Sequence, residues 1–178
     1  MERISITVPT TQSPGPAASH PAANRPASNR GNVNWERWAV RYARLALGTA
    51  FLSAVASRFG LWDKTVDLKH FANFIQYAAQ VLSFVPAAIV PLLAWAATAF
   101  ETTLGILLIL GLWTKWVSLA SATLLAMFGT AMAISFGAQS PMDYSVFSAS
   151  SAAALLALYA WRQDAKQSSM PGMEGKSS

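Results

Sequence analysis

The stretch that decides the fold runs from Val90 to Leu112 and reads VPLLAWAATAFETTLGILLILGL. As a helix it covers roughly 30–35 Å, the thickness of a bilayer's hydrocarbon core. A single carboxylate, Glu101, sits in its middle. A charge at that depth is costly and normally faces a bundle interior. The neighbours agree, since Ala94, Ala97, Thr98, Glu101, Gly105 and Leu108 share one helical face and are mostly small or hydroxylic. Eleven Leu, Ile, Val and Phe residues in this stretch each favour insertion by roughly 0.3–0.6 kcal/mol, against about 3 kcal/mol for a central acid. The segment therefore inserts with its acid.

Working outward, three further spans are expected. The first covers Trp38 to Phe59, with Arg41 and Arg44 before its apolar part and Arg58 after it, all long enough to snorkel. The third covers Trp116 to Phe136, beyond a tight Thr114–Lys115 turn. The fourth covers Tyr144 to Trp161, with Asp143 as its expected N-cap. Between the first and second spans, Phe71, Phe74, Ile75, Ala78, Leu82 and Val85 recur at helical spacing, with Asn73, Gln76, Gln80 and Ser83 opposite. That is an amphipathic helix lying in the interface or against the bundle. The fold class is all-α: an integral membrane four-helix bundle with a short amphipathic helix between its first and second spans. Residues 1–34 hold five of the nine prolines and read as a disordered tail. Residues 35–162 form the four-span domain, and 163–178 a polar C-terminal tail.

Composition supports this reading and removes others. The chain is 53% hydrophobic and only 12% charged, where soluble domains carry about 25% charged residues. It has no cysteine, so thiol relays, iron–sulfur clusters and thiolate metal sites are excluded from this chain. His20 and His70 lie outside the spans, and no metal site is expected. The net charge of +5 arises from basic residues flanking apolar segments, which is a topology signal and not a nucleic-acid surface. With four spans, ten Lys and Arg fall on the side of the termini and three on the other. In a bacterium this places a multi-pass protein in the inner (cytoplasmic) membrane with both termini in the cytoplasm.

Lipid tails are as apolar as leucine, so small residues and interhelical hydrogen bonds bring spans together. Ser118, Ala122, Ala126 and Thr130 in the third span, with Ser121, Gly129 and Ala133 beside them, and Ala149, Ala153 and Ala157 in the fourth, are the expected seams. Such seams also leave open a homo-oligomer. The candidate polar site is Glu101 with Thr98, with Trp95 as the deepest aromatic and Arg44 as the expected cationic partner. Two roles are open to Glu101: proton or quinone chemistry, or a hydrogen bond or ion pair that fixes packing. No catalytic residue and no cofactor motif is evident, and a quinone is the candidate ligand.

The first span, RLALGTAFLSAVASRFG, carries a basic residue and Gly48. The second ends in ETTLGILLILGLWTKW, with Glu101, Gly105, Gly111 and Thr114–Lys115 in the order E-x-x-x-G-x-L-L-x-x-G-L-x-T-K. Together they resemble the DoxX family of small bacterial membrane proteins, including the DoxD-type subunits, over about residues 40–160. The resemblance implies a four-helix membrane bundle with Gly48, Gly105 and Gly111 as packing positions. It also implies an anchoring or quinone-proximal subunit of a membrane redox complex, with a redox enzyme and the lipid bilayer as partners. A small-solute transporter or permeability factor and a membrane stress-response scaffold are the alternatives.

Overall fold

The computed structural model describes residues 29–63 and 66–169, with side chains from Trp35 onward. The tail expected over residues 1–34 therefore lies outside the described residues up to residue 28, as does the C-terminal tail from residue 170. The described residues are helical and contain no strand. In order they form α1 (Asn29–Arg58), α2 (Leu68–Val81), α3 (Val90–Leu110), α4 (Thr114–Phe136), α5 (Gln139–Asp143) and α6 (Val146–Ser168). A single turn of 3-10 helix at Ala87–Ile89 leads into α3.

The four long helices touch in a ring. α1 packs on α3 and α4 on α6 most extensively, while α3–α4 and α1–α6 contacts close the circuit. Helices α3 and α4 are long and apolar enough to cross a membrane by length and composition. α1 and α6 do not meet that composition test, and their place beside the other two comes from packing. At 30 residues, α1 is about 45 Å long, longer than the expected span. Its first turns project with Trp35, Trp38 and Tyr42 exposed, and the Arg41 guanidinium lies 5.6 Å from the Trp38 ring.

Small residues set the α1–α3 register. A Cβ added at Gly48 would lie 2.8 Å from the Gly105 carbonyl oxygen, and one at Gly105 would lie 3.1 Å from the Gly48 carbonyl oxygen. The two backbones meet there, and the helices run antiparallel. Four residues before Gly48, Arg44 therefore lands on the C-terminus of α3. Its Nε donates to the Leu108 carbonyl at 3.0 Å and its Nη2 to the Ile109 carbonyl at 3.5 Å. Those carbonyls have no partner within their own helix, and a cation suits that end of the dipole. Gly111 ends α3 in the left-handed region at φ 75°, where the Leu107 carbonyl accepts from both Gly111 N and Leu112 N. A Cβ at Gly111 would fall on the Arg44 guanidinium.

The α4–α6 seam holds Ser118, Ser121 and Ala122 against Ala153 and Ala157, all buried. Ser150 Oγ donates to the Ala122 carbonyl at 2.8 Å, and Gly129 leaves room for the Phe147 ring. Thr130, expected in this seam, is exposed. An interval of four residues advances about 40° beyond a full turn, so three such steps carry Thr130 off the face that Ser118 occupies. The buried face continues through Gly129 and Met132 instead. Asp143 does not cap α6 as expected. It closes α5, whose Pro141 is buried, and Ser145 at φ 54° makes the corner into α6.

The helix directions give the molecule two chemically unlike ends. The start of α1, the α3–α4 turn and the end of α6 share the Arg44 end, where the Lys115 Nζ lies 2.6 Å from Asp164. Among the described side chains, Arg37, Arg41, Arg44, Lys115, Arg162 and Lys166 gather there against Glu36 and Asp164. Among the described side chains, the opposite end carries Asp63, Asp67 and Asp143 against Arg58 and Lys69, with α2 laid across it.

Substitution at Gly111 separates two costs at the α3 terminus. Gly111 lies in the left-handed helical region at φ 75° and ψ 23°, where an alanine costs roughly 1–2 kcal/mol in strain. A Cβ there also displaces Arg44 from its carbonyls, at roughly 1 kcal/mol more. Gly111→Ala should therefore lose about 1 kcal/mol less in an Arg44→Ala background than in the wild type. Equilibrium unfolding in detergent checks the difference, and equal losses in the two backgrounds would deny Arg44 its capping role.

Candidate functional site

Glu101 is buried, at 2% exposure, on the face of α3 that meets α1. Its cationic partner is Arg58, and not Arg44 as the sequence suggested. Arg58 Nη2 donates to Glu101 Oε1 at 2.7 Å, and Arg58 Nη1 donates to Thr98 Oγ1 at 3.0 Å. Thr98 in turn donates to the Ala94 carbonyl at 2.8 Å, so one hydroxyl accepts from the guanidinium and satisfies its own backbone.

Helix geometry explains the choice of arginine. Side chains on a helix lean toward its own N-terminus. In the Gly48–Gly105 register, Arg44 starts beyond Gly105 on the far side from Glu101 and leans farther away. Arg58 starts opposite the N-terminal part of α3 and leans back along α1, toward Thr98 and Glu101. Both arginines immediately flank the apolar stretch 45–57 of α1, and direction decides between them.

Helix α2 covers this pair. Asp67 caps its first turn by accepting from Lys69 N at 3.1 Å. The apolar face then turns inward with Phe71 and Ala78 buried. Phe71 stacks on Phe59, with ring centroids 5.4 Å apart, and on Trp95 at 4.2 Å. Phe74 lies over the Arg58 guanidinium, whose carbon is 4.0 Å from the ring centroid, a cation–π contact. The far end of α2 is tied to α4. Ser135 Oγ donates to the Val81 carbonyl at 2.6 Å and lies 3.1 Å from Ser83 Oγ. Tyr77 stacks on Phe136 with centroids 6.0 Å apart, and burial pushes its phenol above its ordinary range, with Tyr144 adding to the shift.

The arrangement brings together Glu101, Thr98 and Arg58, and places Trp95 beside them. Trp95 is half exposed and belongs to the aromatic cluster under α2, nearer the rim than the sequence suggested. Arg44, Gly48, Gly105 and Gly111 lie on the α1–α3 contact toward the other end. Arg58 is the residue that sequence reasoning left out of the site, because a basic residue after a span reads as a snorkelling anchor. The available signal was Thr98, one turn before Glu101, which offers a second oxygen to a bidentate donor. Among the described residues, no group of three or more His, Cys, Asp or Glu side chains could hold a metal. Glu101 Oε2 is buried without a hydrogen-bond partner among the described residues. The site thus holds one carboxylate oxygen fixed by a cation and one that is buried and unpaired among the described residues.

The model of the family described as methylamine utilisation protein MauE matches residues 36–162. This chain belongs to the MauE family. It is a helical membrane protein, and its match covers α1 almost from its first described side chain to the last turns of α6. The family shown is MauE and not DoxX. Of the letters from Glu101 to Lys115 that resemble DoxX, Glu101 pairs with Arg58, Gly105 packs on Gly48, Gly111 ends α3 and Lys115 pairs with Asp164 in this fold. No curated protein and no solved structure matches the chain.

A double-mutant cycle distinguishes the two arginines. Arg58→Met leaves Glu101 buried and unpaired, and is expected to cost roughly 3–5 kcal/mol. Arg58→Met combined with Glu101→Gln should cost clearly less than the two single changes together. Arg44→Ala and Glu101→Gln should instead add within about 0.5 kcal/mol. Additivity for the Arg58 pair, measured by unfolding in detergent, would contradict the geometry.

Proposed function

We propose that this protein is an accessory, multi-pass subunit of a membrane redox system, with the Arg58–Glu101–Thr98 cluster forming a quinone-proximal polar site. The observation that carries the reading is the Glu101 Oε2, buried without a partner among the described residues inside an apolar bundle, with a guanidinium on the other oxygen. A carboxylate fixed in this way accepts a hydrogen bond from a hydroxyl, which is what a quinol head presents. The aromatic cluster of Phe59, Phe71 and Trp95 supplies flat apolar surface beside it. The family's name ties MauE to methylamine utilisation, and oxidising an amine releases electrons that a redox system has to accept. This chain has no cysteine, so any thiol step in such a system belongs to a partner.

In this reading α1, α3, α4 and α6 all cross the inner membrane of a bacterium, as a four-helix bundle of DoxX-like plan. The basic Arg44 end faces the cytoplasm, and α2 lies on the opposite surface. Both termini are then cytoplasmic. A reporter fused after Ser178 is expected to show cytoplasmic activity, and activity restricted to the periplasm would reverse the orientation.

The test of the site is Glu101→Gln in the purified full chain. Binding of a quinone analogue is expected to weaken at least tenfold, and capture of a redox partner from solubilised membranes should persist. If quinone binding and partner capture are both unchanged while thermal stability falls, the pair serves packing alone.

A further inference from the structure

A second amphiphile-shaped feature lies at the Arg44 end, away from the Glu101 cluster. α3 and α4 pack less closely than the α1–α3 and α4–α6 pairs. Their corner is made by Trp113, whose backbone sits in the left-handed region at φ 43° while its indole is 74% exposed. A bulky residue rarely adopts that conformation, and here it holds an indole at the bundle's edge. Between the two helices runs a groove of about 500 Å³, lined by Leu104, Trp113, Trp116, Val117 and Ala120. The last four lie on one face of α4 and extend away from its N-terminus. Beside the groove, and sharing Trp113 with it, is a hollow of about 240 Å³ bounded by Thr114, Lys115, Ala160 and Asp164.

We infer that this apolar trough and its charged notch bind one anionic glycerophospholipid. An acyl chain lies along Trp113, Trp116, Val117 and Ala120, and the phosphate sits at Lys115. The trough ends where α4 begins, so the headgroup meets the positive end of the α4 dipole as well as the Lys115 ammonium. Trp113 and Trp116 occupy the level at which interfacial indoles lie. Asp164 already accepts from Lys115 Nζ at 2.6 Å, and its remaining lone pairs suit the hydroxyls of a glycerol headgroup. Charge selects the lipid class, because among the described side chains basic ones outnumber acidic ones six to two at this end. Basic pockets between membrane helices favour anionic over zwitterionic headgroups. The inference needs the chain to be embedded in a bilayer, and it is independent of any redox role for Glu101.

The test uses the full chain in mild detergent, incubated with equal amounts of phosphatidylglycerol and phosphatidylethanolamine and read by native mass spectrometry. Wild type is expected to retain phosphatidylglycerol about tenfold over phosphatidylethanolamine. Ala120→Phe, which fills the trough from an exposed position, should lower that retention about tenfold. Lys115→Gln should remove the preference between the two lipids. Leu158→Phe, on the exposed face of α6, should change neither. Equal retention of the two lipids by wild type would overturn the inference, as would full phosphatidylglycerol retention by Ala120→Phe. Because Lys115→Gln also breaks the contact to Asp164, a thermal melt accompanies each variant. Phosphatidylglycerol should raise the melting temperature of wild type and not that of Ala120→Phe, and an equal rise in both counts against the trough.

Discussion

The backbone contact between Gly48 and Gly105 is the constraint from which the rest follows. Without a side chain at either position, the carbonyl of each glycine comes within 3.1 Å of where a Cβ on the other would lie. Once that point is fixed, each residue on α1 has a determined opposite number on α3. Arg44 is delivered to the carbonyls that end α3, and Arg58 is delivered to Glu101. Two arginines of similar sequence context thus take unrelated tasks. One caps a helix dipole at the bundle's basic end, and the other neutralises a buried acid near the opposite end. A shift of one turn would undo both at once, so the polar contacts confirm a register that the glycines permit.

The α2 helix depends on the same geometry. Arg58 is the last residue of α1, and Phe59 begins the turn that follows. The guanidinium therefore emerges where α2 crosses, and Phe74 covers it. The aromatic stack of Phe59, Phe71 and Trp95 joins three separate pieces of chain: the end of α1, α2 and the first half of α3. Ser135 closes the arrangement by binding the last carbonyl of α2 from α4. The lid is pinned at both ends by specific contacts, while its middle rests on apolar burial.

Much of this was legible from residue order. The apolar run around Glu101 identified α3, and the period of Phe71, Phe74, Ile75 and Ala78 identified α2 and its inward face. The small residues of α4 and α6 marked a seam, although a fixed spacing of four overshot at Thr130. The illegible parts share one cause: they depend on where a side chain points relative to another helix. Arg44 and Arg58 look equivalent on paper, and only helix direction and register tell them apart. Trp113 and Ser145 turn corners with positive φ that no local rule assigns to such residues. The family was misplaced as DoxX for a related reason. Glu101, Gly105, Gly111 and Thr114 are spaced as this kind of helix packing requires, and that spacing does not belong to one family.

The Arg58–Glu101 pair is not explained by stability alone. Buried ion pairs are often no more stabilising than well-packed apolar residues of the same volume, and in lipid even good interhelical hydrogen bonds average only about 0.6 kcal/mol. Register is already set by the glycines and by Arg44. If packing were the whole purpose, both carboxylate oxygens would be expected to find donors, as buried polar atoms overwhelmingly do. Thr98 is placed to engage Arg58 instead of Glu101, which fixes the guanidinium and leaves Glu101 Oε2 without a partner among the described residues. The donors of the cluster hold the arginine still and leave one buried acceptor of Glu101 unpaired among the described residues, the feature on which the proposed polar site rests.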